Sequence, residues 1–292
     1  MNILNCNLCP RECGINREEK TGFCESYKNI KIAKYMLHKW EEPCISGENG
    51  SGAVFFSGCN LKCIYCQNHE ISRGNRGREI TEDELCEIFL TLQDKGAHNI
   101  NLVTPTHYIS GIIRALDRAK PYLHIPVVYN SGGYEKIETL KEIKDYIDIY
   151  IQDIKYSDDN LAYEYSMVKD YFKVAKSATK EMISEKGTPE FDEQGLLKKG
   201  VIIRHLVLPG HKQNSYGVLE FIKELDPECY LISLMSQFTP TKLCEQNNIL
   251  NKKVSKKEYE LILNKALSYG IENGYFQDLS SASETFIPDF NE

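Results

Sequence analysis

Phe56-Ser57-Gly58-Cys59-Asn60-Leu61-Lys62-Cys63-Ile64-Tyr65-Cys66 carries three cysteines in the spacing C-x3-C-x2-C, with an aromatic residue just before the last. The run before it, Ala-Val-Phe-Phe-Ser at 53–57, is short and apolar and suits a buried strand. Beyond the loop, Thr81 and Glu84 form a capping box that opens a helix with Leu85, Ile88, Phe89 and Leu92 on one face, and Gly96 ends it.

The same alternation continues. Strands are expected at 99–103, 125–129, 147–152, 201–208 and 230–234, with helices at 107–119, 135–145, 159–186 and 215–225. Ser255 with Glu258 caps a last helix, and 275–277 adds a short strand. Alternating strands and helices imply a parallel sheet. Six such units over about 51–235 are too few for a closed eight-stranded barrel. The expectation is an α/β fold, a partial (β/α)6 barrel over 51–292, behind a Cys-rich N-terminal extension at 1–50 that shows little periodicity. In such folds the loops after the strands carry the site.

The chain has 292 residues and a net charge of −7, which gives no general attraction to a phosphate backbone. No apolar run approaches the ~20 residues that cross a bilayer. The start, Met-Asn-Ile-Leu-Asn-Cys, lacks the regions of a signal peptide. A cytoplasmic protein without membrane or nucleic-acid partners is expected. Grouped cysteines in a reducing compartment point to metal or redox work rather than disulfides.

A [4Fe–4S] cluster takes thiolate ligands on its irons. Three local cysteines, Cys59, Cys63 and Cys66, leave one iron open. The amino and carboxylate groups of S-adenosylmethionine suit that position. Electron transfer from the reduced cluster would break a carbon–sulfur bond of the sulfonium and give a 5′-deoxyadenosyl radical that abstracts hydrogen. The rival readings are a zinc site with His69 as fourth ligand and unrelated thiols. Cys6, Cys9, Cys13 and Cys24 form a second group, for which a second iron–sulfur cluster, a structural zinc and free thiols stay open, with Cys44 an alternative ligand.

The three-cysteine loop resembles the signature of the radical SAM superfamily. Residues 6–13 (CNLCPREC), 40–47 (WEEPCISG), 66–68 (CQN) and 102–107 (LVTPTH) are similar to the PflX-like group, related to the activating enzymes of pyruvate formate-lyase and other glycyl radical enzymes. The resemblance implies an oxygen-sensitive cluster in an anaerobic oxidoreductase, with flavodoxin or ferredoxin as reductant and a glycyl radical enzyme or peptide as partner. A radical enzyme for a small molecule or another peptide, and a non-catalytic electron carrier, are the alternatives.

By the same resemblance Tyr65 packs near the adenine. Thr104 stands where relatives hold the methionine amino group with a Gly-Gly-Glu stretch, so the carboxylate is missing here. Asn130 and Ser131 are similar to a strand-end Asp-Thr. Asp153 and Lys155 are similar to an Asp-x-Lys pair, with Lys155 on the methionine carboxylate. Arg204 resembles an arginine that reaches the cofactor. His107 and Tyr108 follow a strand end and are minor candidates for the pocket wall, Gly132 and Gly133 suit a close backbone approach or tight turn, and His205 is expected in the core.

Overall fold

The computed structural model describes residues 3–73, 76–277 and 290. Its strands are β1 (Ile30–His38), β2 (Ser51–Phe56), β3 (Arg78–Ile80), β4 (Ile100–Val103), β5 (Val127–Ser131), β6 (Ile149–Asp153), β7 (Glu190–Phe191), β8 (Leu197–Leu206), β9 (Leu231–Met235) and β10 (Gly274–Phe276). They form one sheet in the order β10-β9-β8-β6-β5-β4-β2-β1-β3, with β7 against β8. All pairs from β2 to β10 along this order are parallel, and β1 pairs antiparallel with β2 and β3. Among the described residues β3 and β10 end the path and do not pair, so the barrel is partial, as the count of units implies.

The expected helices fill the connections. Glu82–Asp94 starts with the full Thr81–Glu84 capping box. The Ser255–Glu258 box is half made: Ser255 accepts the Glu258 N–H, but the Glu258 carboxylate accepts the Gly210 N–H at 2.7 Å instead. Strand side chains alternate with period two. Ile100, Leu102, Tyr129 and Tyr150 face the helices in the large core. Val128, Ile149, Ile151 and Ile202 face the opposite, concave side.

The segment 1–50, which shows little periodicity in sequence, nonetheless contains Ile30–His38, a nine-residue strand of the main sheet. A register shift between Ile32 and Lys34 breaks its alternation. A bulge of this kind hides a strand from period-two reading. A one-turn helix, Pro43–Ser46, then inserts Cys44 and Ile45 under the concave face, against Val128, Ile149 and Ile151. Cys44 is thus a core thiol rather than a member of the N-terminal group. Strand β5 starts two residues later than expected, since Pro126 has no N–H for the ladder.

Candidate active site

The cysteine loop leaves β2 through Gly58, at φ 89°. A Cβ there would stand 2.5 Å from the Cys24 carbonyl oxygen, so glycine lets the N-terminal segment pack against the loop. The loop then docks on the C-terminal end of the helix Asp159–Ser166. Ile64 N–H donates to Tyr165 O at 2.9 Å and Lys62 N–H to Ser166 O at 3.3 Å. These bonds satisfy helix-end carbonyls and fix the loop together.

The ten positions expected to hold the cluster or the cofactor, Cys59, Cys63, Tyr65, Cys66, Thr104, Asn130, Ser131, Asp153, Lys155 and Arg204, all line one cavity of about 390 Å³. His69 is not among its lining residues. Cys59 Sγ accepts the Leu61 N–H at 3.4 Å, and Cys63 Sγ accepts the Ser166 hydroxyl at 2.9 Å. Burial pushes the Cys59 and Cys63 thiols up. The neighbouring cysteines add to this, and the Lys155 ammonium opposes it. The thiols therefore share one electrostatic neighbourhood in which bare thiolates are disfavoured. A bound cationic iron removes that penalty, because a coordinating thiol is deprotonated outright. Among the described residues no three His, Cys, Asp or Glu side chains converge on a point suited to a single ion. In a cubane each thiolate binds a different iron, so its sulfurs stand further apart than around one ion.

At the strand ends, Asp153 and Lys155 form an ion pair. Burial alone would lower the Lys155 pKa, but the Asp153 carboxylate and the Cys63 thiol hold it raised. Asn130 O accepts the Thr104 N–H at 2.8 Å, and Thr104 has φ 59°. A β-branched residue in the left-handed region is an outlier. Ser131 is engaged by the fold: its hydroxyl donates to Gln152 Oε1 at 2.9 Å and accepts the Gly133 N–H. The fork of Arg204 is held by Glu41 and Glu42, so its guanidinium already has carboxylate partners. Tyr65 packs against Phe238 and edge-on to Tyr156.

His107 and Tyr108 do not line the cavity. His107 is buried with Nε2 2.8 Å from Ser57 O, and Tyr108 packs on Phe56. Gly133 serves packing: a Cβ would collide with the Asp153 carbonyl oxygen. His205 is a satisfied core histidine between Ile154 O and Ser215 Oγ, at 2.7 and 2.9 Å.

The N-terminal cysteines lie together. Burial pushes Cys9 up to about 12, with Cys24, Glu135 and Cys13 adding to it. Burial raises Cys24, and Cys6 adds to it. Arg11 ties this segment to the site. Its Nε donates to Asn60 O at 3.0 Å, its Nη1 to Met167 O at 2.6 Å, and its guanidinium lies 3.7 Å over the Phe23 ring. Lys62 pairs with Glu25 from the other side.

Sequence reading gave no role to Glu41, Glu42, Ser166, Tyr156 or Glu135. Glu41 and Glu42 line the cavity, and Glu135 is buried, accepting Thr106 Oγ1 at 2.8 Å and Tyr129 OH at 2.9 Å. The adjacent acidic pair before Pro43 is the one signal that singles any of them out.

The family described as the Radical SAM superfamily matches residues 53–222. An uncharacterized protein of Methanocaldococcus jannaschii is 31% identical over 286 residues, 92% of this chain and 76% of that one. The pyruvate formate-lyase-activating enzyme of Clostridium pasteurianum is 29% identical over 133 residues, 40% of this chain and 50% of that enzyme. Streptococcus suis SuiB bound to precursor peptide SuiA shares the fold, with TM-score 0.51 and 15% identity over 77% of this chain and 48% of SuiB. The matched regions thus cover about half the length of the activating enzyme and of SuiB. Among the described residues no helix is long and apolar enough to cross a membrane.

Proposed function

We propose, for a chain that belongs to the radical SAM superfamily, that Cys59, Cys63 and Cys66 hold a [4Fe–4S] cluster and that the adjoining cavity binds S-adenosylmethionine for radical hydrogen abstraction. The observation that carries this reading is the meeting of the three cysteines with Thr104, Asn130, Asp153 and Lys155 in one cavity. The bound cofactors supply an electron, passed on from a donor such as flavodoxin or ferredoxin, that splits S-adenosylmethionine into methionine and a 5′-deoxyadenosyl radical.

The residues of the chain orient and enclose. Lys155, steadied by Asp153, offers its remaining N–H donors to the methionine carboxylate as a point charge. Asn130 and the Thr104 hydroxyl take the place of the carboxylate that relatives aim at the methionine amino group. Tyr65 and Phe238 form an apolar wall that keeps water from the reacting centre. Cys6, Cys9, Cys13 and Cys24, in the segment that Arg11 ties to the cluster loop, are the donor set for a second iron–sulfur cluster, whose thiolates bind separate irons.

The hydrogen donor is a peptide, with the Cα of a glycyl residue in a partner enzyme as the favoured target. The similarity to a pyruvate formate-lyase-activating enzyme supports this. The test is anaerobic reconstitution followed by dithionite and S-adenosylmethionine. Formation of 5′-deoxyadenosine and methionine is expected, and its absence with an intact cluster would sink the reading. An organic radical on a candidate glycyl radical protein, seen by electron paramagnetic resonance, is the readout for the target. A small-molecule substrate predicts 5′-deoxyadenosine without that radical, and an electron carrier predicts neither.

A further inference from the structure

Three buried hydroxyls make an unbroken chain to the cluster loop. Tyr65 OH donates to Tyr156 OH at 2.7 Å. Tyr156 OH and Ser166 Oγ stand 2.6 Å apart. Ser166 Oγ donates to Cys63 Sγ at 2.9 Å. Tyr65, Tyr156 and Ser166 are all buried.

The direction of the chain follows from proton counting. A cysteine sulfur bound to iron has no proton, so Ser166 is the donor at that end. A hydroxyl has one proton to give. Ser166 spends its own on Cys63 and must accept from Tyr156. Tyr156 then accepts from Tyr65. Every O–H therefore points toward the sulfur, and each bond polarises the next. A tyrosine hydroxyl ordinarily titrates at about 10, so both keep their protons at neutral pH.

The location gives this chain a task. Ser166 ends the helix Asp159–Ser166, and the carbonyls of Tyr165 and Ser166 point at the cluster loop. A helix C-terminus carries partial negative charge. Such a pole opposes adding an electron to a neighbouring group. Hydrogen bonds to cluster sulfurs act in the opposite sense and are one of the levers that set a cluster's potential.

We propose that Ser166 is a positioning residue that tunes the cluster, raising its reduction potential through the donor chain Tyr65–Tyr156–Ser166–Cys63. This rests on the reading of Cys63 as a cluster ligand. It gives Tyr65 a role beyond contact with the adenine, because its hydroxyl begins a chain that returns to its own loop.

The test is a redox titration of the anaerobically reconstituted full chain, followed by the electron paramagnetic resonance signal of the reduced cluster, with iron content matched between variants. Ser166→Ala, Tyr156→Phe and Tyr65→Phe should each move the midpoint to more negative potential. The shift should be largest for Ser166→Ala and smallest for Tyr65→Phe, following distance along the chain. Unchanged or raised midpoints in Ser166→Ala and Tyr156→Phe, at full iron, overturn the inference. Should Ser166→Ala fail to assemble a cluster, Tyr156→Phe decides, since it keeps the ring and removes one proton donor. A wild-type chain that assembles no cluster would overturn the radical-enzyme reading itself. An intact cluster with unmoved potentials overturns only this inference.

Discussion

Arg204 on β8 places its Nε 2.7 Å from Oε1 of Glu42, a residue 162 positions earlier in the chain. Glu41 completes the fork, so a segment that precedes β2 is fastened to a strand on the far side of the cavity. Burial raises the cost of ionising Glu42, but the Arg204 charge and hydrogen bonds outweigh it and hold the carboxyl below its usual range. Breaking a buried pair leaves an uncompensated charge, at a cost of about 3–5 kcal/mol. Arg204→Met strands two carboxylates and should destabilise by about 4 kcal/mol. Glu42→Gln leaves Glu41 in place and should cost about half as much, on the same basis. Urea unfolding of both variants checks the order, and a reversed order would refute the arrangement.

Arg11 makes its bonds to Asn60 O and Met167 O through a rigid planar fork while lying on Phe23. Lysine cannot reproduce that geometry. Arg11→Lys and Arg11→Ala should therefore both loosen the N-terminal segment, at about 1–3 kcal/mol by analogy with other charged hydrogen bonds. Faster bleaching of the visible absorption of the reconstituted protein in air is the expected sign, with Arg11→Lys much closer to Arg11→Ala than to wild type.

Thr104 holds φ 59° at the cavity wall. The left-handed conformation costs a non-glycine residue roughly 1–2 kcal/mol. Thr104→Gly removes that strain and adds unfolded-chain entropy of roughly 0.4–1 kcal/mol. The fold should be unchanged or up to about 1.6 kcal/mol more stable, whereas production of 5′-deoxyadenosine should fall if the hydroxyl serves the cofactor. Thermal unfolding and product analysis on one preparation separate the two effects.

Two buried groups give pH dependences of opposite sign. Burial pulls His205 down to about 4 from 6.5. Between those values the unfolded chain binds a proton that the folded chain does not, so this contribution is lost as pH falls. Burial pushes Glu135 up to about 7 from 4.5. There the folded chain binds the extra proton, so stability grows as pH falls from 7 toward 4.5. Relative to wild type, His205→Gln should gain about 2 kcal/mol on going from pH 7 to pH 5, and Glu135→Gln should lose about 2 kcal/mol. Urea unfolding at the two pH values checks both signs, and equal pH slopes in all three proteins would contradict them.

The legible part of this molecule was local. The spacing of Cys59, Cys63 and Cys66 lies within eight residues, and the Thr81–Glu84 box lies within four. The apolar strand runs were read with small boundary errors where Pro126 and the pairing of β7 with β8 moved the ends. Ile30–His38 is not legible in sequence because its bulge breaks the alternation that marks a strand.

By itself the sequence determined the cysteine loop, the succession of strands and helices, and the strand-end residues that face one cavity. Each is set by contiguous residues or by a repeating period. Tertiary structure alone decided that Arg204 is met by Glu41 and Glu42, that Ser166 reaches Cys63 across 103 positions, and that Cys24 lies against the cluster loop at Gly58. Those contacts join residues far apart in the chain, with no period to announce them. They form because burial leaves each polar group to find its partner wherever the packing brings one.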